Sequence, residues 1–140
     1  MMVQGLLAAY LDVGGTGGGP SLDVVDRVRE GLPARVLDEA IDSGRLTAAE
    51  LDRLAIPRKT AAHRRKLGSL SAEQSDRLLR VLRVIDEAER AFANRDKAHR
   101  WLRRPTAVLG GRAPLDLLDT DIGARHVEHL LGRMAHGLAA

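Results

Sequence analysis

The 140 residues contain no cysteine. That removes disulfides, thiol nucleophiles and thiolate metal sites together. Aromatic residues are nearly as scarce, with Tyr10, Phe92 and Trp101 making up the whole set. Any hydrophobic core must therefore be aliphatic, and a composition rich in leucine and alanine favours helices. No apolar run approaches the roughly 20 residues of a membrane span, and Met1 to Tyr10 lacks the basic start of a secretory signal. The expectation is a cytoplasmic protein with no membrane partner. A chain of this length makes one domain, or two small ones sharing a core, since a domain takes roughly 100 to 200 residues.

What is present is unevenly distributed. Residues 1 to 57 hold five arginines against nine acids, residues 58 to 104 hold fourteen lysines and arginines against six acids, and residues 105 to 140 hold three against four. The net +3 thus conceals a strongly cationic middle. Such a block suits a polyanion or an acidic protein, or else forms a solvated helical surface.

Leu6 to Val13 is a short apolar piece, the one stretch that admits a strand, with an unstructured tail as the alternative. Gly14 to Pro20, GGTGGGP, reads as a linker. A dinucleotide loop would need glycine at Pro20, and a phosphate loop would need Lys-Ser/Thr where Pro20-Ser21 stands. Ser21 is placed to cap a helix running to Glu30, with Gly31 ending it. Pro33 opens a second, carrying Val36, Leu37, Ala40 and Ile41 and stopping at Gly44. Thr47 and Glu50 form a Thr-x-x-Glu capping box for a third, Ala48 to Leu54. Pro57 interrupts, and the basic Arg58 to Lys66 resumes as a helix. Two short helices with a tight break, the second basic, outline a helix-turn-helix. Ser71 and Gln74 form another capping box, opening the longest helix, to about Ala93. Its stripe is Leu78, Val81, Ile85, Ala88 and Phe92, widened by Leu79 and Leu82. A further helix, roughly Asp96 to Leu102, ends before Pro105. Gly110 and Gly111 then mark a turn, and Pro114 starts a short helix. Thr120 or Asp121 caps the last one, striped with Val127, Leu130, Leu131, Met134 and Leu138. Gly137 stands where a left-handed C-terminal residue belongs.

Binding is the chemistry these residues favour. Arg58, Lys59, Arg64, Arg65 and Lys66 line the short basic helix, with Thr60 available to a phosphate or base edge, as DNA contact requires. Three or four phosphate contacts give weak, salt-sensitive affinity per protomer, so operator binding calls for a dimer. Catalysis finds little support. His126 and His129 share a helical face but lack a third ligand, so no metal and no cofactor are expected. Serines 21, 43, 69, 71 and 75 stand mostly where caps or turns want them. Asp116, Asp119 and Asp121 offer carboxylates, although Asp119 and Asp121 suit the N-terminus of the following helix.

The run Gly110-Gly111-Arg112-Ala113-Pro114-Leu115-Asp116-Leu117-Leu118, with Thr120, Gly123-Ala124, Val127, Leu131, Arg133 and His136-Gly137, resembles the toxin-binding domain of the MbcA/ParS/Xre antitoxins. Gly31-Leu32-Pro33, Ile56-Pro57, Thr60, Arg64-Arg65, Leu70-Ser71, Asp76 to Arg80, Ala98 and Trp101-Leu102 are similar to that family's Xre-type part. The resemblance implies a non-enzymatic type II antitoxin encoded beside a RES-domain toxin that destroys NAD. It implies an all-α fold: a flexible segment over residues 1–20, an Xre-like helix-turn-helix domain over 21–93 and a toxin-binding domain over 94–140. Partners would be the cognate toxin, operator DNA, and further copies of the chain in a homodimer or larger hetero-oligomer. Toxin contact would fall on Arg112, Val127, Leu130, Arg133, Met134 and His136, and on the small apolar plug Gly137, Leu138, Ala139 and Ala140. Leu115, Leu118, Val127, Leu130 and Leu131 serve the domain's own core at least as readily. Arg112 could instead pair with Asp116 or hold the Gly110-Gly111 turn. The alternative to an antitoxin is a DNA-binding regulator whose C-terminal domain serves only dimerisation or another partner.

Overall fold

The computed structural model of the chain describes residues 6–11 and 22–139, without the side chains of residues 6, 138 and 139. The Gly14–Pro20 linker, the expected cap at Ser21 and Ala140 lie outside the described residues. Eight α-helices and two 3₁₀ turns form among the described residues, with no strand. They are α1 (Leu6–Leu11), α2 (Leu22–Glu30), α3 (Val36–Asp42), α4 (Ala48–Leu54), α5 (Arg58–Leu67), α6 (Ala72–Phe92), α7 (Arg95–Arg103) and α8 (Asp121–Ala139). The chain divides into two compact units, Met1–Leu79 and Arg80–Ala140.

In the first unit, Leu6–Leu11 are helical, where the sequence left a strand or a tail open, and α1 packs on α3. Leu7, Tyr10 and Leu11 are buried, so this part of the expected flexible segment is docked, and the N–H of Leu7 donates to Glu39 Oε1 at 3.0 Å. A six-residue helix is marginal in isolation, so burial is what holds it. On α3, Val36, Leu37 and Ala40 face inward at the helical spacing. The Thr47–Glu50 capping box is formed in both directions, at 3.0 and 3.1 Å. Leu51 and Leu54 seal α4 against the core.

Gly31 has φ +94°, and a Cβ there would lie 2.0 Å from the carbonyl oxygen of Leu70, so only glycine fits. The close approach lets Leu70 N–H donate to Leu32 O at 2.9 Å. Leu32 N–H in turn donates to the buried hydroxyl of Ser75 at 2.9 Å, and that hydroxyl donates to Ser71 O at 2.8 Å. Ser75 is therefore no cap: it satisfies a backbone donor in the core. The cap of α6 is Ser71, whose Oγ accepts the N–H of Gln74 at 3.1 Å.

In the second unit, α6 contributes Val81, Leu82, Val84, Ile85 and Ala88, all fully buried. It stops because Ala93 takes φ +51°, the one non-glycine residue with positive φ among the described residues. Asn94 then caps α7, its Oδ1 accepting the N–H of Lys97 at 3.0 Å. Ala98 and Leu102 pin α7 inward, and Trp101 meets Phe92 with ring centroids 5.5 Å apart. Arg104 is extended, as a residue before proline must be, and the chain leaves the helix there. Thr106 to Arg112 closes a loop through Gly111 N–H to Thr106 O at 2.9 Å, with Gly110 and Gly111 left-handed. The 3₁₀ turn Pro114–Leu117 packs against both α7 and α8 and buries Pro114 and Leu115. Thr120 caps α8, its Oγ1 accepting the N–H of Gly123 at 3.0 Å. The helix then buries Ala124, Val127 and Leu131 and runs on to Ala139. Gly137 lies within it and is not left-handed, which corrects the expected stop. At an exposed position a helical glycine costs only about 1 kcal/mol, and α8 absorbs it.

Candidate functional site

Two surfaces carry the residues singled out by the sequence. The first is α5, joined to α4 by the three-residue turn Ala55-Ile56-Pro57. Ile56 is buried beneath the turn, and its N–H and that of Ala55 both donate to Leu51 O at 3.0 Å. Pro57 precedes the first residue of α5, where a missing donor leaves nothing unsatisfied. The N–H of Arg58 is taken by Asp52 Oδ1. Of ten residues in α5 only Ala61 is buried, and Gly68, left-handed, ends the helix. A helix with so little apolar contact presents most of its circumference to solvent.

On that helix Arg58, Lys59 and Lys66 are exposed, whereas Thr60 and Arg64 are half-buried. Arg65 is exposed but tethered: its guanidinium lies 3.0 Å from Asp38 Oδ1 on α3. The outward face at helical spacing is Lys59, Ala62, His63 and Lys66. His63 stands on this face although the run of basic residues alone does not single it out. The signal that could have found it is its position, four residues from Lys59 and opposite Ala61.

The second surface is the far end of α8. Arg133, His136 and Gly137 are exposed, and Leu130 and Met134 half-buried. Val127 is fully buried in the unit's own core, the role the sequence allowed it beside toxin contact. Leu138 and Ala139 continue the helix, with side chains outside the described residues. Beside this end a groove of about 500 Å³ is lined by Phe92, Lys97, Met134 and Gly137. Phe92 and Lys97 are some forty positions away in sequence, so no local pattern could have placed them with Met134. Arg112 is exposed on the Thr106–Arg112 loop and its guanidinium donates to Leu109 O at 3.3 Å. It braces the glycine turn.

Charge in this unit is organised by two networks. Arg83 bonds Glu128 at 3.0 Å across α6 and α8, and nearby Glu87 has its carboxyl held above the ordinary 4.5, first by burial and then by the charge of Glu128. Glu89 accepts from His99 Nε2 at 2.6 Å and lies 3.5 Å from Arg95. His99 Nδ1 lies 2.9 Å from Arg103, which can only donate, so the ring carries its proton on Nε2 and gives it to Glu89. His126 and His129 are both exposed, and the described residues include no group of three or more candidate metal ligands.

An all-helical chain with an exposed basic helix after a tight turn, followed by a small helical unit with a solvent-facing terminal helix, defines a helix-turn-helix protein with an appended interaction domain. Family comparison agrees on both halves. Residues 23–83 match the antitoxin Xre-like helix-turn-helix domain, and residues 87–137 match the antitoxin Xre/MbcA/ParS C-terminal toxin-binding domain. An antitoxin Xre of Photorhabdus laumondii is 34% identical over 125 residues, covering 87% of this chain and 83% of that protein. An antitoxin Xre of Yersinia enterocolitica is 35% identical over 118 residues, covering 82% and 80%. A protein of Sphingobium named Prs ADP-ribosylating antitoxin is 32% identical over 98 residues, covering 61% of this chain and 62% of its own. The chain belongs to the Xre/MbcA/ParS antitoxin family.

Proposed function

We propose that the chain neutralises a RES-domain toxin that degrades NAD, by placing the last turns of α8 in the toxin's active site, and that it represses its own operon through α5. The observation that carries the first part is the state of α8 after Leu131. The core residues end there, yet the helix continues to Ala139 with Arg133, His136 and Gly137 exposed. Residues that do nothing for their own core, beside a groove floored by Phe92 and Met134, suit a partner. Arginine and methionine are also enriched at interfaces. One relative is named for ADP-ribosylation, a chemistry that draws on NAD. The chain itself acts by occupancy, without catalysis, as a homodimer or larger assembly with its toxin in the cytoplasm. Co-expression with the neighbouring toxin gene tests this. The full chain restores growth and cellular NAD, while deletion of Arg133 to Ala140 leaves a folded protein and lets NAD fall. Growth arrest with the full chain present would sink the proposal.

A further inference from the structure

We propose that the outward face of α7 binds the phosphate backbone of duplex DNA. The helix carries Arg95, Lys97, Arg100 and Arg103 against the single acid Asp96, and Arg104 follows at its C-terminal boundary. An open cleft of about 640 Å³ is lined by Asp96, His99, Arg100, Arg103 and Arg104. Asp96, His99, Arg100 and Arg103 lie at steps of three and four on one face of α7, and Arg104 adjoins that face from the extended residue that ends the helix.

Three observations select a phosphate backbone. First, the stripe is held in place: Ala98 and Leu102 are buried, and Arg103 is fixed by hydrogen bonds to both Nδ1 and the carbonyl oxygen of His99, at 2.9 and 3.2 Å. Second, Arg100 and Arg104 are exposed, and their guanidiniums meet no carboxylate among the described residues. Cations near a helix C-terminus complement its dipole, which accounts for one or two of them. It does not call for the three arginines, Arg100, Arg103 and Arg104, that line the cleft. Third, the stripe has no apolar centre. Trp101 is turned onto Phe92, so the cleft lacks the aromatic anchor on which protein–protein interfaces depend, and it matches the polar, strongly cationic character of DNA contacts. Guanidinium suits phosphate because its planar fork donates to two oxygens at once.

The test measures binding of the full chain to random-sequence duplex across a range of salt, comparing the native sequence, Arg100→Ala/Arg104→Ala, Arg100→Lys/Arg104→Lys, and Lys59→Ala/Lys66→Ala on α5. Removing two phosphate contacts should lower the slope of log affinity against log salt by about two and weaken binding roughly tenfold at 0.1 M. The lysine pair should keep the native slope, which a merely structural role would not require, and far-UV circular dichroism checks that each variant is folded. Loss with the α7 alanine pair but not the α5 pair would remove the role of α5 and keep this one. The proposal is overturned if the alanine pair keeps the native affinity and slope, if the native chain binds no duplex, or if the pair loses only capture of the toxin.

Discussion

Gly123 is the residue on which propensity and geometry disagree most sharply. In a first helical turn alanine would be favoured over glycine by about 1 kcal/mol. A Cβ there, however, would fall 1.9 Å from the carbonyl oxygen of Leu117 and 2.9 Å from Thr120 Oγ1. Gly123→Ala should therefore destabilise by about 1–3 kcal/mol, as overpacking does, and thermal unfolding will measure it. Glu87 gives a prediction of the opposite sign. Its folded-state carboxyl titrates above the ordinary 4.5, so the ionised form is disfavoured in the fold. The penalty is absent below that ordinary value, grows as pH rises through the interval up to the folded value, and is complete above it. Glu87→Gln should raise the melting temperature at pH 7 by roughly 1–2 °C, and the difference should vanish by about pH 4. Single residues were legible in the sequence where their signal is local: Thr47, Ser71 and Thr120 cap as their spacing predicts. Ser75 was not, because its partner Leu32 lies 43 positions away.

At the scale of elements, α4, α5, α6 and α7 lie within a residue or two of their sequence expectation, since capping boxes and prolines are written locally. Two elements departed from it. Leu6–Leu11 is helical because a short apolar run reads equally as strand or buried helix, and packing on α3 decides between them. The end of α8 was placed too early because a glycine after an apolar stripe is the usual mark of a stop. Periodicity finds the inward stripe of α8 but does not tell a helix's own core from a partner's surface, and Val127 is buried in the core. The contribution of α5 can be tested at this scale. With Arg65 paired to Asp38 and Arg64 half-buried, the charge available to DNA is that of Arg58, Lys59 and Lys66. Lys59→Ala/Lys66→Ala should weaken operator binding and lower its salt slope by about two in a mobility-shift titration, leaving toxin capture unchanged.

For the whole molecule, the segregation of charge proved more informative than the total. The cationic block over residues 58–104 contains α5 and α7, and the acidic flanks lie outside both. The helix-turn-helix outline was legible from element order and charge. A C-terminal interaction domain was not, because exposed residues on α8 carry no internal pattern; that half is read from the ordered family match over residues 23–83 and 87–137. No helix among the described residues is long and apolar enough to cross a membrane. The scarcity of aromatics has a practical consequence. Trp101 is the chain's one indole, half-buried and tilted against Phe92, the residue that lines the groove with Met134. Its fluorescence is thus a built-in reporter for the second unit alone, against a first unit whose emission comes from a single tyrosine. Excitation at the red edge of the absorption band would follow occupancy of that groove in the unlabelled protein.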